Sequence, residues 1–363
     1  MSSIWGERIK ISVFGESHGE AVGVVVDGLP PGISLDLDKI KREMDRRRPG
    51  QDKYSTQRRE GDTVEIVSGF FSEHTTGTPL CGIIRNTDKR SKDYEELKDC
   101  MRPGHADYTG KIRYKGFGDY RGGGHFSGRL TAPLVFAGAI AAQYLDKKGI
   151  AIGTHMLSIG KAEDNPIDPV SITKEQLLAL RDKRFPVFSE NAAERMKAEI
   201  DSAGKDCDSV GGLLETVIAG LPPGLGTPMF QSVESRISAL VFSIPAVKGI
   251  EFGSGFKMAA MRGSEANDPF YLEDNMVKTR TNHSGGINGG ITNGMPVLFR
   301  TAIRPTPSIG KEQHTINMEG MKETELVING RHDPCIAVRA VPVLDAVSAL
   351  IVMDLILEAK AIF

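Results

Sequence analysis

The stretch Val24-Val25-Val26-Asp27-Gly28-Leu29-Pro30-Pro31-Gly32-Ile33 recurs later in the chain as Val217-Ile218-Ala219-Gly220-Leu221-Pro222-Pro223-Gly224-Leu225. In both copies an apolar run typical of a buried strand ends in Gly-Leu-Pro-Pro-Gly, and a helical spacing of apolar residues follows. The two pentapeptides start 220 − 28 = 192 residues apart. We therefore predict an internal duplication of one strand-turn-helix unit, with copies covering roughly residues 10–150 and 205–345 of a single domain, 1–363.

Strands outnumber helices in the pattern around these two turns. Ile9 to Phe14 and Ala21 to Val26 predict a first pair of strands separated only by a short glycine-containing loop. Such hairpin spacing is commoner than strand-helix-strand alternation, which favours an α+β fold with antiparallel sheets over a doubly wound fold. Two amphipathic helices predict a peripheral helical segment at residues 166–203. A buried helix is predicted from Leu344 to Phe363, directly after Pro342.

The charge balance excludes several classes of protein. The 363 residues carry 45 Lys and Arg against 47 Asp and Glu, a net charge of −2. General nucleic-acid binders and polybasic membrane proteins need a strongly basic surface, so neither partner is expected. The longest uncharged apolar stretch, Leu130 to Leu145, is shorter than the roughly 20 residues that cross a bilayer. Residues 1–10 lack a signal-peptide pattern, so a cytoplasmic protein is expected.

Metal and disulfide chemistry is not expected either. The four cysteines form no Cys-x-x-Cys pair, and the histidines form no His-x-x-x-His pair. These patterns argue against a structural zinc site, a zinc hydrolase and a disulfide scaffold. We predict reduced, buried thiols and no bound metal.

Glycine is over-represented, with 41 residues, and it clusters at residues 122–128 and 285–290. The spacing matches neither G-x-G-x-x-G nor G-x-x-x-x-G-K-[ST], which disfavours a standard Rossmann or P-loop site. Two interpretations of the clusters remain open. Glycine lets backbone N–H groups approach a phosphate or a flat ring closely, and it equally serves tight turns and close strand packing.

Basic residues are concentrated between Lys41 and Arg59, a stretch that contains eight basic and three acidic residues. Such a run is either a solvated face or a binding site for an anion. Further arginines and several histidines occur in loops or glycine-rich context, which favours acid-base chemistry on a small polyanion. These residues are Arg102, Arg129, Arg331, Arg339, His18, His105, His125, His283 and His332. Asp333, which precedes Pro334, is a candidate base or a turn-forming residue, and its spacing alone favours the turn.

Six separate motifs then resemble the chorismate synthase family, in the family's order and across nearly the whole chain. They are Phe14-Gly-Glu-Ser-His-Gly19, Asp45-Arg-Arg-Arg-Pro-Gly50 with Thr56-Gln-Arg-Arg-Glu60, Arg102-Pro-Gly-His-Ala-Asp107, Asp119-Tyr-Arg-Gly-Gly-Gly124, Asn282-His-Ser-Gly-Gly286, and Gly330-Arg-His-Asp-Pro-Cys335 with Arg339-Ala-Val-Pro342. The resemblance implies a layered sandwich of antiparallel sheets and helices, assembled as a homotetramer. It also implies a lyase that eliminates phosphate from 5-enolpyruvylshikimate 3-phosphate to give chorismate, using reduced FMN without net redox change.

The resemblance further implies roles for individual residues. His18 would protonate the departing phosphate, His105 would maintain the protonation state of the flavin, and Asp333 would assist removal of the ring hydrogen. The residues implied in substrate binding are Ser17, Arg47, Arg48, Arg102, Arg129 and Arg331. Those implied in flavin binding are His125, Phe126, Ser127, Pro245, Ala246, Gly289, Arg304, Pro305, Thr306, Pro307, Ser308 and Arg331. If NADPH is a reductant, the residues implied are Arg47 and Lys53.

The chain departs from the family pattern at several of these positions. Many relatives have Arg-Ser-Ser where this chain has His125-Phe126-Ser127, Asn in place of Pro245, and Lys in place of Arg304. Lys53 likewise replaces an Arg. Two alternative functions are kept at this point: another FMN-dependent enzyme such as an NADPH flavin reductase, and an arginine-rich RNA-binding protein. An external flavin reductase is a further expected partner if the chain does not reduce its own flavin.

Overall fold

The computed structural model describes residues 3–50, 61–87, 98–328 and 333–362. Its strands, in chain order, are β1 Ile4–Trp5, β2 Lys10–Gly15, β3 Ala21–Asp27, β4 Val64–Ser68, β5 Phe70–Phe71, β6 His74–Thr75, β7 Leu80–Arg85, β8 Ala151–Ile159, β9 Ala162–Glu163, β10 Gly212–Ala219, β11 Val247–Phe252, β12 Phe270–Glu273, β13 Met276–Thr279, β14 Ile287–Asn288, β15 Ile291–Thr292, β16 Val297–Ile303, β17 Gln313–Asn317 and β18 Lys322–Leu326.

Eight α-helices occur in the same part of the chain. They are α1 Leu37–Arg47, α2 Asp107–Arg113, α3 Thr131–Asp146, α4 Lys174–Asp182, α5 Glu190–Lys205, α6 Val233–Val241, α7 Gly263–Ala266 and α8 Ala337–Ile362. Short 3₁₀ turns at Arg121–Phe126 and Gly128–Leu130 lead into α3.

Two five-stranded antiparallel sheets lie on either side of a central layer of helices. Their strand orders are β1-β2-β3-β7-β4 and β11-β16-β10-β8-β9. Helix α3 packs on the first sheet, α8 packs on the second, and the two helices pack against each other between the sheets. Their buried Val, Ile, Leu and Ala side chains join one large core. The predicted α+β sandwich of antiparallel sheets and helices is confirmed.

The two Gly-Leu-Pro-Pro-Gly turns have matching hydrogen bonds. Each follows the middle strand of its sheet, and Gly28 and Gly220 share a φ of +84°, which L side chains rarely adopt. The Thr75 and Thr292 hydroxyls each donate to the first proline carbonyl of the turn at 2.7 Å. The carbonyl of each threonine accepts the N–H of the turn's last glycine at 2.8 Å. This correspondence supports the duplication, whose boundaries stay a prediction.

Helix α8 begins earlier than the sequence pattern predicts. The predicted start at Leu344 is wrong, because the helix begins at Ala337 and includes Pro342. Proline removes one helical hydrogen bond, but Val338 and Val341 are buried in the core, and that packing offsets the local cost. Residues Ala337–Lys360 are long and apolar enough to span a membrane, yet 94% of the most apolar window is buried inside the protein.

The face of the second sheet that is turned away from α8 is covered by the helical segment that follows β9 in the chain. Helix α4 begins at a capping box formed by Thr173 and Gln176, and it packs against β8 through Leu177, which is fully buried. Helix α5 begins at an N-cap provided by Ser189. Two helices were predicted in the segment 166–203, and both are present there, with α5 continuing to Lys205.

Candidate active site

A cleft of about 190 Å³ opens where the end of α1, the glycine-rich turns before α3, the loop after β16 and the start of α8 meet. The residues that line it are Ser17, Arg47, Pro49, Arg102, His105, Gly122, Phe126, Ser127, Gly128, Arg129, Pro245, Ala246, Arg304, Thr306, Pro307, Ser308, Asp333, Ile336 and Arg339. Fourteen of these were singled out from the sequence as catalytic, substrate-binding or flavin-binding residues, although they come from distant parts of the chain.

Other predicted residues lie beside the cleft or outside it. His18 is buried behind Gly122, and Arg48 is 39% exposed beside Asp45. The His125 ring lies at hydrogen-bond distance from the Gly15 carbonyl and from Ser3. Pro305 packs near Gly211, and Gly289 lies in the turn between β14 and β15. Two predicted residues, Lys53 and Arg331, lie outside the described residues.

Two of the cleft arginines share one buried carboxylate. Arg47 donates to Asp62 Oδ2 from Nε at 3.0 Å and from Nη2 at 2.5 Å, and Arg129 Nη1 donates to Asp62 Oδ1. Burial raises the pKa of Asp62, but the charges of Arg47 and Arg129 outweigh it and hold that pKa below its usual value. Asp62 is therefore an anion that fixes two cations from different elements.

A second carboxylate joins Arg102 to His105. Asp107 Oδ2 accepts from Arg102 Nε at 2.7 Å, and Oδ1 lies 2.7 Å from Arg102 Nη2 and 2.6 Å from His105 Nδ1. Burial raises the pKa of Asp107, but hydrogen bonds from Arg102 and His105 outweigh it, so that pKa lies well below its usual range. Asp107 is ionised at neutral pH.

The glycine-rich turn allows a close approach to His18. Gly122, Gly123 and Gly124 have φ values of 60°, 82° and 52°, which favour glycine. A Cβ on Gly122 would lie 2.1 Å from His18 Nδ1, so only glycine fits beside this ring. Ser17 Oγ donates to the Gly122 carbonyl at 3.0 Å and lies 3.2 Å from His18 Nδ1. Ser17 lines the cleft and connects it to His18.

Asp333 lies at the start of α8 and is oriented by a neighbouring arginine. Its Oδ2 accepts from Arg339 Nη1 at 2.8 Å, and Arg339 Nε also donates to the Arg47 carbonyl at 3.3 Å. The cleft therefore has a carboxylate, Asp333, close to the group of arginines. Arg339 was noted in the sequence without a role, and the structure places it between two candidate site residues.

The loop after β16 has features that fit a flavin phosphate and a flavin ring. Thr306 Oγ1 is buried and has no hydrogen-bond partner among the described residues, so it can donate to a bound anion. Burial lowers the pKa of Arg304, whose guanidinium also lines the cleft. Ala246 holds a strained φ of 75°, and its carbonyl accepts the Arg304 N–H at 2.9 Å. Pro245 and Pro307 add flat apolar surface.

Asp62 and Asp107 were not assigned as site residues from the sequence. The signal that could have identified them is the arginine cluster itself, because buried guanidinium groups need anionic partners. Asp107 follows Arg102 by five residues and was already part of a quoted motif. Asp62 lies fifteen residues after Arg47, a separation from which no pairing can be read.

Comparisons with known proteins agree with this geometry. The family model for chorismate synthase matches residues 9–357. The chorismate synthase of Thermococcus kodakarensis is 46% identical over 356 residues, covering 98% of each chain. That of Korarchaeum cryptofilum is 44% identical over 362 residues, covering 98% of each chain. A crystal structure of chorismate synthase superposes with a TM-score of 0.76 at 28% identity, covering 98% of this chain and 93% of the other.

These matches cover the whole cleft and both sheets, and the family's members are lyases. They give no support to the alternatives of a flavin reductase or an arginine-rich RNA-binding protein. The chain therefore belongs to the chorismate synthase family.

Proposed function

We propose that this chain eliminates phosphate from 5-enolpyruvylshikimate 3-phosphate in an anti-1,4 reaction that yields chorismate. The reaction breaks the C–O bond to phosphate and a ring C–H bond, and it forms a new C=C bond. The observation that carries the proposal is the convergence of Arg47, Arg102 and Arg129 on one cleft that also holds His105 and Asp333. A phosphate and two carboxylates give the substrate three anionic groups, which guanidinium groups bind well.

The residues of the cleft also fit FMN, the second part of the proposal. The phosphate of FMN would lie against Arg304 and the Thr306 hydroxyl, which has no partner among the described residues. The flavin ring would lie against Pro245, Ala246 and Pro307. Contacts from His125, Phe126, Ser127, Gly289, Pro305, Ser308 and Arg331 belong to the same proposal. Reduced FMN, when bound, supplies an electron transiently with no net redox change.

The protein's acid-base groups have distinct tasks in this proposal. His18 supplies a proton to the departing phosphate, and its Nδ1 edge, beside Gly122 and Ser17 Oγ, is in contact with residues of the cleft. Asp333, oriented by Arg339, accepts the proton lost from the substrate ring. His105 presents a protonatable ring to the flavin side of the cleft. Arg48 and Arg331 would complete the binding of the substrate anions.

The proposal also covers the localisation of the protein, its oligomeric state, its partners and the source of the reductant. We propose a cytoplasmic homotetramer with a small-molecule substrate and no nucleic-acid or membrane partner. The reductant for FMN has two candidate sources: NADPH, bound through Arg47 and Lys53, or an external flavin reductase.

An anaerobic assay of phosphate release tests the proposed activity. Wild-type protein with chemically reduced FMN should release phosphate, and oxidised FMN alone should give no release. Release with oxidised FMN plus NADPH would identify the chain's own reductase activity, and its absence would leave the external source. No phosphate release with reduced FMN would refute the proposed function.

His18→Ala and Asp333→Asn should each lower the rate of phosphate release by about 100-fold or more, because positioned acid-base groups contribute that much. The matched control is His314→Ala, since His314 is an exposed histidine that does not line the cleft. The roles fail if both variants retain rates within about threefold of wild type.

Gly122→Ala should reduce phosphate release by about tenfold or more, because the added Cβ at 2.1 Å must displace the His18 ring. Gly116→Ala is the matched control: Gly116 also has a positive φ, +79°, but nothing lies within 4 Å of its Cβ position. Both variants carry the backbone strain of a left-handed alanine, so only displacement of His18 should separate their rates. Equal rates for the two variants would contradict this account.

A further inference from the structure

We propose that Asp107 is a positioning residue that holds His105 in a single tautomer, with Nδ1 protonated and Nε2 as the nitrogen available to the ligand. This inference rests on the proposed function only for the role of His105 in the reaction. The tautomer itself is a property of the protein without ligands.

The geometry determines which ring nitrogen carries the proton. His105 Nδ1 lies 2.6 Å from Asp107 Oδ1 and 3.0 Å from Arg102 Nη2, and the closer contact is the one to the carboxylate. An ionised carboxylate only accepts hydrogen bonds, so an unprotonated Nδ1 at this distance would bring two lone pairs together. Nδ1 therefore donates to Asp107, and the neutral ring has its lone pair on Nε2. Hydrogen bonds of this kind to a carboxylate are short and strong.

The other ring nitrogen lies beside the glycine-rich turn, and His105 itself lines the cleft. A Cβ on Gly123 would lie 3.2 Å from His105 Nε2 and 3.1 Å from Cε1, so this edge of the ring lies against the glycine-rich turn. Gly123 has a φ of 82°, and its missing side chain keeps that edge uncovered. The fixed tautomer thus presents Nε2 where a ligand over Gly122 and Gly123 can reach it.

Asp107 is itself held rigidly, which is what positioning requires. Its Oδ2 accepts the Arg102 backbone N–H at 3.1 Å and Arg102 Nε at 2.7 Å. Its side chain is only 10% exposed, so water competes weakly for these bonds. Arg102 Nη2 shares Oδ1 with His105. The negative charge of Asp107 therefore lies between the guanidinium group of Arg102, which binds substrate in the proposed function, and the ring of His105.

A purely structural role for Asp107 would predict a different behaviour. It would lower stability and leave the tautomer of His105 unchanged. A positioning role predicts that removing the charge frees the ring to take either tautomer.

The first experiment uses nitrogen-15 NMR of histidine-labelled protein without ligand. Wild-type His105 should show a protonated Nδ1, and Asp107→Asn should show a mixture of tautomers. Asp99→Asn is the matched control, because Asp99 pairs with Lys111 at 2.8 Å in the same part of the chain but does not touch His105. An Nε2–H tautomer in wild type would overturn the proposal without any variant.

The second experiment measures phosphate release with reduced FMN. Asp107→Asn should lower kcat by about tenfold or more. Asp107→Glu, which retains the charge, should recover most of the lost rate. A wild-type rate together with a single tautomer in Asp107→Asn would refute the proposal. Failure of the proposed function would instead appear as no phosphate release by wild type, with the NMR result unaffected.

Discussion

Asp62→Asn should lose about 3–5 kcal/mol of the free energy of unfolding at pH 7, because the substitution leaves two buried guanidinium groups without their shared anion. The side chains of Asp62, Arg47 and Arg129 are 0%, 1% and 5% exposed, so water cannot replace the lost charge. Asparagine has the same shape as aspartate and tolerates the φ of 46° found at this position. The loss therefore reports the charge and not backbone strain.

Urea unfolding of wild type and Asp62→Asn measures this effect. Glu65→Gln is the control, because Glu65 pairs with Arg85 at 3.3 Å with both side chains about half exposed. That control should change the free energy of unfolding by less than about 1 kcal/mol. A loss in Asp62→Asn no larger than in the control would show that Asp62 does not hold the two arginines.

The effect of Asp62 should depend on pH in a defined direction. Its pKa is lower in the folded protein than in the unfolded chain, where it is about 3.9. The contribution to stability is therefore complete above the unfolded value and is lost as the pH falls through the folded one. Wild type and Asp62→Asn should differ most at pH 7, and their free energies of unfolding should converge below about pH 4.

Local patterns in the sequence predicted much of the scaffold. Asp36 directly precedes the helical spacing of Leu37, Ile40 and Met44, and it caps α1 by accepting hydrogen bonds from the N–H groups of Asp38 and Lys39. The repeated Gly-Leu-Pro-Pro-Gly indicated two equivalent turns, which have the same hydrogen bonds to threonine. These features depend on neighbours within a few residues or on a repeated motif, so a single sequence contains them.

Features that depend on distant pairing could not be predicted. Glu215 accepts hydrogen bonds from His155 and Arg300, which lie opposite it on the two neighbouring strands, and all three are largely buried. Strand alternation shows that Glu215 shares a face with other residues of β10, but it does not show which strand lies beside it. The same limit applies to Asp62, whose partners come from α1 and from the turn before α3.

The cleft was predictable only through the motifs. Charge and spacing indicated an anion site near Lys41 to Arg59, but they did not show that Arg102, Arg129 and Asp333 would join it. The resemblance supplied that grouping, and the structure then separated the residues that line the cleft from those that do not. His125 is the clearest case, because its ring lies beside the Gly15 carbonyl and Ser3.

Asp354→Ala should lose about 3–5 kcal/mol of the free energy of unfolding, a loss comparable to that of Asp62→Asn. Asp354 is fully buried in the middle of α8 and accepts the backbone N–H groups of Glu7, Arg8 and Ile9 at 3.0, 2.6 and 2.7 Å. It also pairs with Arg236. Alanine would leave three N–H donors and one guanidinium group without this acceptor, at a position where the Asp354 side chain is fully buried.

Arg236 offers a matched control, because it also pairs with Glu358 on the same helix. Glu358 is 26% exposed and binds no backbone of the N-terminal segment in the part of the chain that the structure describes. Glu358→Gln should therefore cost less than about 1 kcal/mol. Hydrogen exchange adds a local readout, since the amides of Arg8 and Ile9 should exchange faster in Asp354→Ala but not in Glu358→Gln. Equal losses in the two variants, or unchanged exchange at these amides, would mean that α8 does not anchor the strand leading to Ser17 and His18.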